Sequence, residues 1–155
     1  MAIEIERKFL VKKIPFNFVK YSAKIRQGYI MIDKTQVIRV REKDDDYFLA
    51  IKGNKIGISR FEFEYQIPKE DAKELFKNFC PLGLIEKTRH YIDNDNHTWE
   101  LDEFHGRNNG LFVVEIELQS ENDNFSIPDW VGIEVTQEEK YYNMNLIQNP
   151  YDTWH

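Results

Sequence analysis

The length, composition and charge of the chain exclude several classes of protein. Its 155 residues fit one domain spanning residues 1–155, since domains usually hold about 100–200 residues. A net charge of −6 does not suit a protein that grips nucleic acid. No apolar run approaches the roughly 20 residues of a membrane span. Cys80 is the only cysteine, so we expect a cytoplasmic protein without nucleic-acid or membrane partners.

Most of the chain alternates polar and apolar residues with a period of two, which is typical of β-strands. The predicted strands are residues 3–12, 23–32, 37–43, 47–52, 59–66, 84–94, 98–104 and 111–119. Short turn-like segments, such as residues 44–46 and 53–54, separate many of them. Such turns favour hairpins, and hence antiparallel pairing.

Two helices are predicted beside these strands. The first begins at Pro68 and ends at Pro81. Its apolar stripe is Ala72, Leu75, Phe76 and Phe79. The second begins at Gln137, with Thr136 as its cap and Glu139 completing a capping box. The fold class is therefore α+β, dominated by antiparallel strands.

Nearly every predicted strand carries charged residues on one face and apolar residues on the other, since residues i and i+2 point to the same side. The acids are Glu4, Glu6, Glu62, Glu64, Glu100, Asp102, Glu115 and Glu117. The bases are Lys8, Arg39, Arg41, Lys52, Lys87 and Arg89. A solvated sheet face explains any single pair of these charges. Such a face normally mixes threonine, serine, glutamine and lysine, however, and here acids and bases are grouped on different strands.

A closed barrel with the charges inside explains the grouping. About eight strands enclose a space that holds one small ligand. The apolar faces then point outward, where we expect the helices and a second subunit of a homodimer to cover them. Arginine forks suit phosphate oxygens. Carboxylates are the ligands that Mg²⁺ and Mn²⁺ prefer. The two sets together predict a polyanion whose phosphates are bridged by Mg²⁺ or Mn²⁺.

The order of these charges resembles that of a known family. The segment Glu4-Ile5-Glu6-Arg7-Lys8 is an ExExK motif, and the other charged pairs follow it in the family's order. From residue 3 to about residue 145 the chain resembles the CYTH domain, or triphosphate tunnel metalloenzyme, superfamily, and particularly its short bacterial members. Their pattern includes Gln27-Gly28-Tyr29, Trp99-Glu100-Leu101-Asp102 and the later Glu134-Val135-Thr136 with Tyr141-Tyr142-Asn143. The resemblance implies an eight-stranded antiparallel tunnel with a triphosphate at its centre.

The resemblance also implies roles for individual residues. The ion that contacts the triphosphate is expected on Glu4, Glu6 and Glu117. A further acidic set is expected to hold a second ion or to position the attacking water: Glu62, Glu64, Asp102 and Glu115, of which Asp102 and Glu115 are the further candidate metal ligands. The phosphates are expected to contact Lys8, Arg39, Arg41, Lys52, Lys87 and Arg89. Tyr29 is expected to act with Lys8, and residues 140–146 to close one end of the tunnel.

The implied reaction is metal-assisted hydrolysis, with inorganic triphosphate as the first candidate substrate. A class IV adenylate cyclase is an alternative, but the His-Phe pair that usually precedes the ExExK motif there is missing. Thiamine triphosphate, ATP and RNA 5′-triphosphate are further candidates. A nucleoside would require an aromatic or apolar pocket at the tunnel mouth, which the sequence does not identify. A non-catalytic polyphosphate-binding module is the rival of another class, and it would not need the converging acids.

Overall fold

The strands and helices are described for residues 2–154 from a computed structural model. The strands are β1 (Ile3–Val11), β2 (Tyr21–Ile32), β3 (Gln36–Lys43), β4 (Asp46–Gly53), β5 (Ser59–Gln66), β6 (Leu84–Asn94), β7 (His97–Phe104), β8 (Phe112–Glu117) and β9 (Val131–Glu134). The helices are α1 (Lys69–Phe79) and α2 (Asn143–Gln148). Short 3-10 turns lie at Phe16–Phe18, Gly106–Asn108, Glu139–Tyr141 and Tyr151–Thr153.

The strands form a closed antiparallel barrel. Their order is β5-β4-β3-β2-β6-β7-β8-β1, and β1 pairs back with β5. The start of β1 meets β5, where Ile3 lies opposite Phe61, and its middle meets β8, where Lys8 lies opposite Glu115. The predicted eight-stranded antiparallel barrel is confirmed. The ninth strand, β9, lies along the end of β1, and it was not predicted because four residues are too few to show a period.

Three elements cover the apolar surfaces. Helix α1 packs on the outside of β3 and β4, where Ala72 joins Val40 and Tyr47. The segment that leads into β9 covers the opposite side, and Trp130 packs there against Trp99. Helix α2 closes one end of the barrel around Leu146, which is fully buried with Ile85 and Val113. Each covering element therefore buries an apolar face, which is the dominant favourable contribution to folding.

The second helix differs from its prediction. Residues Glu139–Tyr141 form a 3-10 turn, and α2 begins only at Asn143. The Thr136 hydroxyl accepts a hydrogen bond from the Lys8 backbone N–H at 3.0 Å and donates one to Glu134 Oε2 at 2.6 Å. Thr136 is therefore engaged with the edge of β1 and does not cap a helix at Gln137.

One outer surface is left uncovered. We call it the β5 face, and it consists of Ile3, Ile51, Phe61, Phe63 and Tyr65, which are 42–59% exposed. Pairing of β5 with β1 extends only from Ser59 to Phe61 among the described residues. The structure from residue 2 to residue 154 contains no helix long and apolar enough to cross a membrane.

Candidate active site

The strand register decides which side chains face the interior. Residues directly opposite one another in antiparallel strands point to the same face. Lys52 lies opposite Glu62, Arg89 opposite Asp102, and Glu6 opposite Glu117. The predicted charged face is therefore the inner face, as the alternation of each strand indicates.

The interior contains a cavity of about 640 Å³. Apart from Asp102, every residue predicted for the site lines it: Glu4, Glu6, Lys8, Tyr29, Arg39, Arg41, Lys52, Glu62, Glu64, Lys87, Arg89, Glu115 and Glu117. Asp102 also points inward, but it lies beneath the side chains of Lys87 and Arg89 and is only 1% exposed. The fold thus brings together residues that are separated by more than 100 positions in the sequence.

Acids and bases from different strands pair across this interior. Lys52 Nζ lies 3.4 Å from Glu4 Oε2 and 3.2 Å from Glu62 Oε2. Arg39 Nη2 lies 3.0 Å from Glu64 Oε2. Such pairs hold the bases in position, and Arg39 still keeps most of its five donors available to an anion.

Asp102 is the most enclosed of the predicted acids. Its carboxylate accepts hydrogen bonds from Arg89 Nε at 2.8 Å, Arg89 Nη2 at 3.0 Å and Lys87 Nζ at 2.7 Å. Burial acts to raise the pKa of Asp102, but Arg89 and Lys87 together lower it below its ordinary value. Both carboxylate oxygens are therefore engaged with bases.

The remaining acids lie close to one another. Burial, followed by the charges of Glu115 and Glu4, raises the pKa of Glu6 to about 8. Glu6 also shares a side-chain hydrogen bond with Glu115, which requires a proton between the two carboxyl groups. Burial, Glu4 and Glu100 raise the pKa of Glu117. These acids lie so close together that ionising all of them at once costs free energy.

This arrangement suits a divalent cation by its donor chemistry. One buried oxygen of Glu4, Oε1, has no hydrogen-bond partner. Between residues 2 and 154, no ion pair or side-chain hydrogen bond engages the carboxylate of Glu117. Carboxylate oxygens are the preferred ligands of Mg²⁺ and Mn²⁺, and a cation would relieve the repulsion that now raises the pKa of Glu6. Among residues 2–154 the structure holds no group of three His, Cys, Asp or Glu side chains already arranged around one ion position.

The buried bases of the tunnel repel one another as well, and burial together with this repulsion lowers the pKa of two lysines. Burial lowers the pKa of Lys52 to about 7, and the charge of Arg39 contributes to this shift. Burial likewise lowers the pKa of Lys87 to about 7, with Arg89 and Arg41 adding to it and Asp102 opposing it. An anion bound between these bases would offset their mutual repulsion.

Comparison with known proteins agrees with this geometry. Residues 2–151 match the sequence model of the CYTH domain. The chain belongs to the CYTH domain family. It is 45% identical over 151 residues to an inorganic triphosphatase of Acetivibrio thermocellus, a match that covers 97% of each chain. It is 35% identical over 147 residues to an inorganic triphosphatase of Nitrosomonas europaea, covering 92% of this chain and 95% of that one.

Among solved structures, this CYTH domain is similar to the crystal structure of the inorganic triphosphatase NE1496. The TM-score is 0.67 with 33% sequence identity, and the match covers 95% of both chains. The closed barrel and its two helices are therefore those of the triphosphatase fold.

Tyr29 lies deep in the tunnel of this CYTH domain. Its hydroxyl accepts a hydrogen bond from Gln27 Nε2 at 2.8 Å, and burial raises its pKa. Lys8 is near enough for its charge to oppose that shift, while Lys8 Nζ donates a hydrogen bond to the Tyr141 carbonyl at 3.4 Å. Gln27 is thus the hydrogen-bond partner that the structure gives to Tyr29.

Among the further residues that line the tunnel, Lys55 and Arg60 were not singled out from the sequence, while Gln27 and Asn143 stood in the family pattern without a role at the site. Arg60 lies beside Glu4, with Nε 3.5 Å from Oε1. It stands two positions before Glu62, so the alternation of that strand was a signal that could have found it. Asn143 enters from the C-terminal segment, where no period predicts a direction for any side chain.

Proposed function

We propose that this CYTH domain hydrolyses inorganic triphosphate with Mg²⁺ or Mn²⁺ as its cofactor. The observation that carries the proposal is that one closed tunnel has two walls. The basic wall carries the arginines and lysines of β3, β4 and β6, and the acidic wall carries the carboxylates of β1, β5, β7 and β8. A polyphosphate needs the first wall, and the cation that bridges its oxygens needs the second. Two inorganic triphosphatases that are 45% and 35% identical to this chain support the same substrate.

The bases bind and orient the phosphate chain. Arginine supplies parallel N–H donors that match phosphate oxygens, while lysine supplies a compact charge. In the proposal Arg39, Arg41 and Arg89 fix the direction of the chain, and the lysines neutralise it: Lys8, Lys52 and Lys87. Positioning and charge neutralisation provide most of the catalysis in phosphoryl transfer.

The acids hold the cation and direct the attack. Glu4, Glu6 and Glu117 would hold the cation, with Glu115 beside them. Once bound there, a divalent cation supplies neutralisation of phosphate oxygens and of the departing phosphate. Asp102 has both oxygens engaged with bases, so in this proposal it orients Arg89 and Lys87.

The attacking water is oriented by acids on the other side of the interior. Glu62 and Glu64 stand on β5 and point into the cavity, and carboxylate oxygens can accept hydrogen bonds from a water. Glu115 lies 3.5 Å from Lys8 Nζ, and Tyr29 adds a hydroxyl nearby. We propose that these groups hold the water in line with the phosphoanhydride bond that breaks. Lys8 then donates a hydrogen bond to the leaving phosphate.

A second candidate, an organic triphosphate, is favoured by one observation. A cavity of about 540 Å³ adjoins the tunnel at Glu100 and Glu117, which line both spaces. In its wall the rings of Tyr21 and Tyr91 stack with centroids 4.3 Å apart and an angle of 10° between planes. In this second proposal the tyrosine rings would stack on the base of ATP or on the ring system of thiamine triphosphate.

Phosphate release tests the proposal directly. The purified chain is given inorganic triphosphate, ATP or thiamine triphosphate, each with Mg²⁺, with Mn²⁺ or with a chelator. We expect strong, chelator-sensitive release from inorganic triphosphate. Formation of cyclic AMP and pyrophosphate from ATP would instead identify a cyclase. Tight binding of triphosphate without any release would identify a binding module.

We also propose that the chain forms a homodimer through the β5 face. Five half-exposed side chains there present roughly 400–500 Å² of apolar surface, taking about 150–250 Å² for a whole aromatic side chain. That is more than half of the roughly 800 Å² that each partner buries in a standard interface. A cytoplasmic location remains part of the proposal, supported by the use of a single cysteine.

A further inference from the structure

Two uncharged side chains connect bases on different strands of the tunnel, Arg41 on β3 and Lys87 on β6. Gln27, on β2, is 1% exposed, and its Oε1 accepts hydrogen bonds from Arg41 Nε at 3.0 Å and Arg41 Nη2 at 2.8 Å. Its Nε2 donates to Asn143 Oδ1 at 3.3 Å. The same Asn143 oxygen accepts a hydrogen bond from Lys87 Nζ at 2.7 Å. We call Gln27 and Asn143 the amide bridge, since they join Arg41 to Lys87.

The chemistry of this bridge differs from that of the other base partners. Arg89 is held by Asp102, which also contacts Lys87 at 2.7 Å, and Arg39 is held by Glu64. A carboxylate orients a base but also cancels its charge, whereas an amide oxygen orients it and leaves the charge in place. Within residues 2–154 no carboxylate pairs with Arg41. No carboxylate contact therefore offsets the charge that Arg41 offers to an anion, although burial and the charges of Arg39 and Arg89 lower its pKa to about 9.

The position of the bridge is fixed by packing outside the tunnel. Asn143 is the first residue of α2, and Leu146 in the same helix is completely buried. The Leu146 carbonyl also accepts a hydrogen bond from Asn108 Nδ2 at 3.4 Å. These anchors hold α2 against the barrel end, so the Asn143 amide is held at Lys87. The C-terminal segment thus contributes to the tunnel and does not only cover it.

We propose that Gln27 and Asn143 are positioning residues, which orient Arg41 and Lys87 for the triphosphate without neutralising them. This inference rests on the proposed function, because it assigns the two bases to triphosphate binding. It explains why amides stand at positions where carboxylates would make stronger bonds to the same bases. The bridge also orders Tyr29, whose hydroxyl accepts the second N–H of Gln27.

Replacing an amide by a carboxylate of the same shape tests the inference. Asn143→Asp and Gln27→Glu keep the acceptor oxygen but add a negative charge beside Lys87 or Arg41. The matched control is Asn149→Asp, since Asn149 is exposed, lies outside the tunnel and uses its side-chain oxygen to accept from Thr153 Oγ1 at 3.3 Å. Binding of inorganic triphosphate without metal is measured by calorimetry, and KM and kcat are measured with Mn²⁺.

We expect each tunnel variant to bind metal-free triphosphate about tenfold more weakly or worse, as the loss of one charge-assisted contact requires. KM should rise more than kcat falls, and the control should bind as the native protein does. A purely structural role predicts the reverse pattern, with Asn143→Asp unchanged and only Asn143→Ala impaired. That result would overturn the inference.

The outcomes also separate this inference from the proposed function. If the native chain binds triphosphate and Asn143→Asp binds it equally well, the inference is wrong and the proposed function stands. If the native chain does not bind triphosphate, both are wrong. Urea denaturation checks that each variant folds, and Asn143→Asp, at a half-buried position, decides the matter alone if Gln27→Glu does not fold.

Discussion

Arg89 donates two hydrogen bonds to the carboxylate of Asp102, from Nε to Oδ1 at 2.8 Å and from Nη2 to Oδ2 at 3.0 Å. Lys87 adds a third contact to the same carboxylate at 2.7 Å. The pair lies below the surface of the tunnel, where the side chain of Asp102 is 1% exposed. It holds two anion-binding bases at a fixed distance, and removal of the acid would leave both of them buried without their partner.

Asp102→Ala should therefore destabilise the fold strongly. Breaking a buried pair leaves an uncompensated charge, so we expect the free energy of unfolding to fall by about 3–5 kcal/mol, measured by urea denaturation. The control is Asp152→Ala, whose partner Arg107 lies 3.1 Å away at the surface, and a loss of about 0.2–1 kcal/mol is expected there. Equal losses in the two variants would contradict the buried-pair account.

Glu6→Gln should impair the use of the cation while leaving triphosphate binding in place. The variant loses one carboxylate of the proposed metal set, and we expect activity with Mn²⁺ to fall roughly 100-fold or more, beyond the 10–100-fold typical of residues that only support a ligand. Glu70→Gln, on the exposed surface of α1, is the control. Retention of full metal-dependent turnover by Glu6→Gln would remove Glu6 from the site.

Triphosphate binding should take up protons above neutral pH. The pKa values of Lys52 and Lys87 are both lowered to about 7, so at pH 8 each lysine is mostly neutral in the free protein. A bound anion favours the charged form and raises both pKa values. Calorimetry of metal-free binding at pH 8, in buffers with different heats of ionisation, measures this uptake.

The variant Lys87→Met isolates the contribution of one lysine to the proton uptake. We expect it to take up nearly one proton fewer than the native chain at pH 8. The difference should vanish at pH 6, where Lys87 is already charged in the free protein. An identical buffer dependence in the two proteins at pH 8 would show that Lys87 does not titrate on binding.

The attachment of β9 should weaken in acid. The hydrogen bonds from Arg7 to Glu134, at 2.8 and 2.6 Å, lower the pKa of Glu134. A carboxylate with a lowered folded pKa stabilises the fold above its unfolded pKa, and that stabilisation disappears as the pH falls through the folded value. Glu134→Gln should therefore cost stability at pH 7 and almost none at pH 3. Because the pair is about one-third exposed, the loss at pH 7 should not exceed about 1 kcal/mol.

Urea midpoints of both proteins at the two pH values provide the measurement for Glu134. An unchanged difference between them at pH 7 and pH 3 would mean that the side chain acts through packing and not through its charge.

Phe63→Lys should shift a dimer to monomers, because it places a charge in the centre of the β5 face. Phe63 is 44% exposed and lies between Phe61 and Tyr65, which are each 59% exposed. Sedimentation velocity over a range of concentrations measures the change. Ile133→Lys, at a 68% exposed position on β9, is the control that should leave the mass unaltered. A native chain that sediments as a monomer at every concentration would refute the homodimer.

The regular parts of the barrel were predictable because a strand repeats every two residues. Alternation over β5 and β6 predicted their bounds without error, at residues 59–66 and 84–94. It also assigned Glu62 and Lys87 to the charged face, and the register confirms that this face is the interior. The ninth strand and the start of α2 were not predictable in this way. Their pairing and anchoring depend on contacts with β1 and with the barrel end, which are distant in sequence.

The sequence by itself determined the eight strands of the barrel, the charged and apolar face of each, and the acids and bases that share the charged face, because all three follow from local periodicity. Only the tertiary structure decided which of these charged side chains contact one another. Asp102 contacts Arg89 and Lys87, while Glu6 contacts Glu115. These contacts depend on the stagger of the strands around a closed barrel. The amide bridge has the same origin, because Gln27 and Asn143 are 116 positions apart and meet only when α2 docks on the barrel.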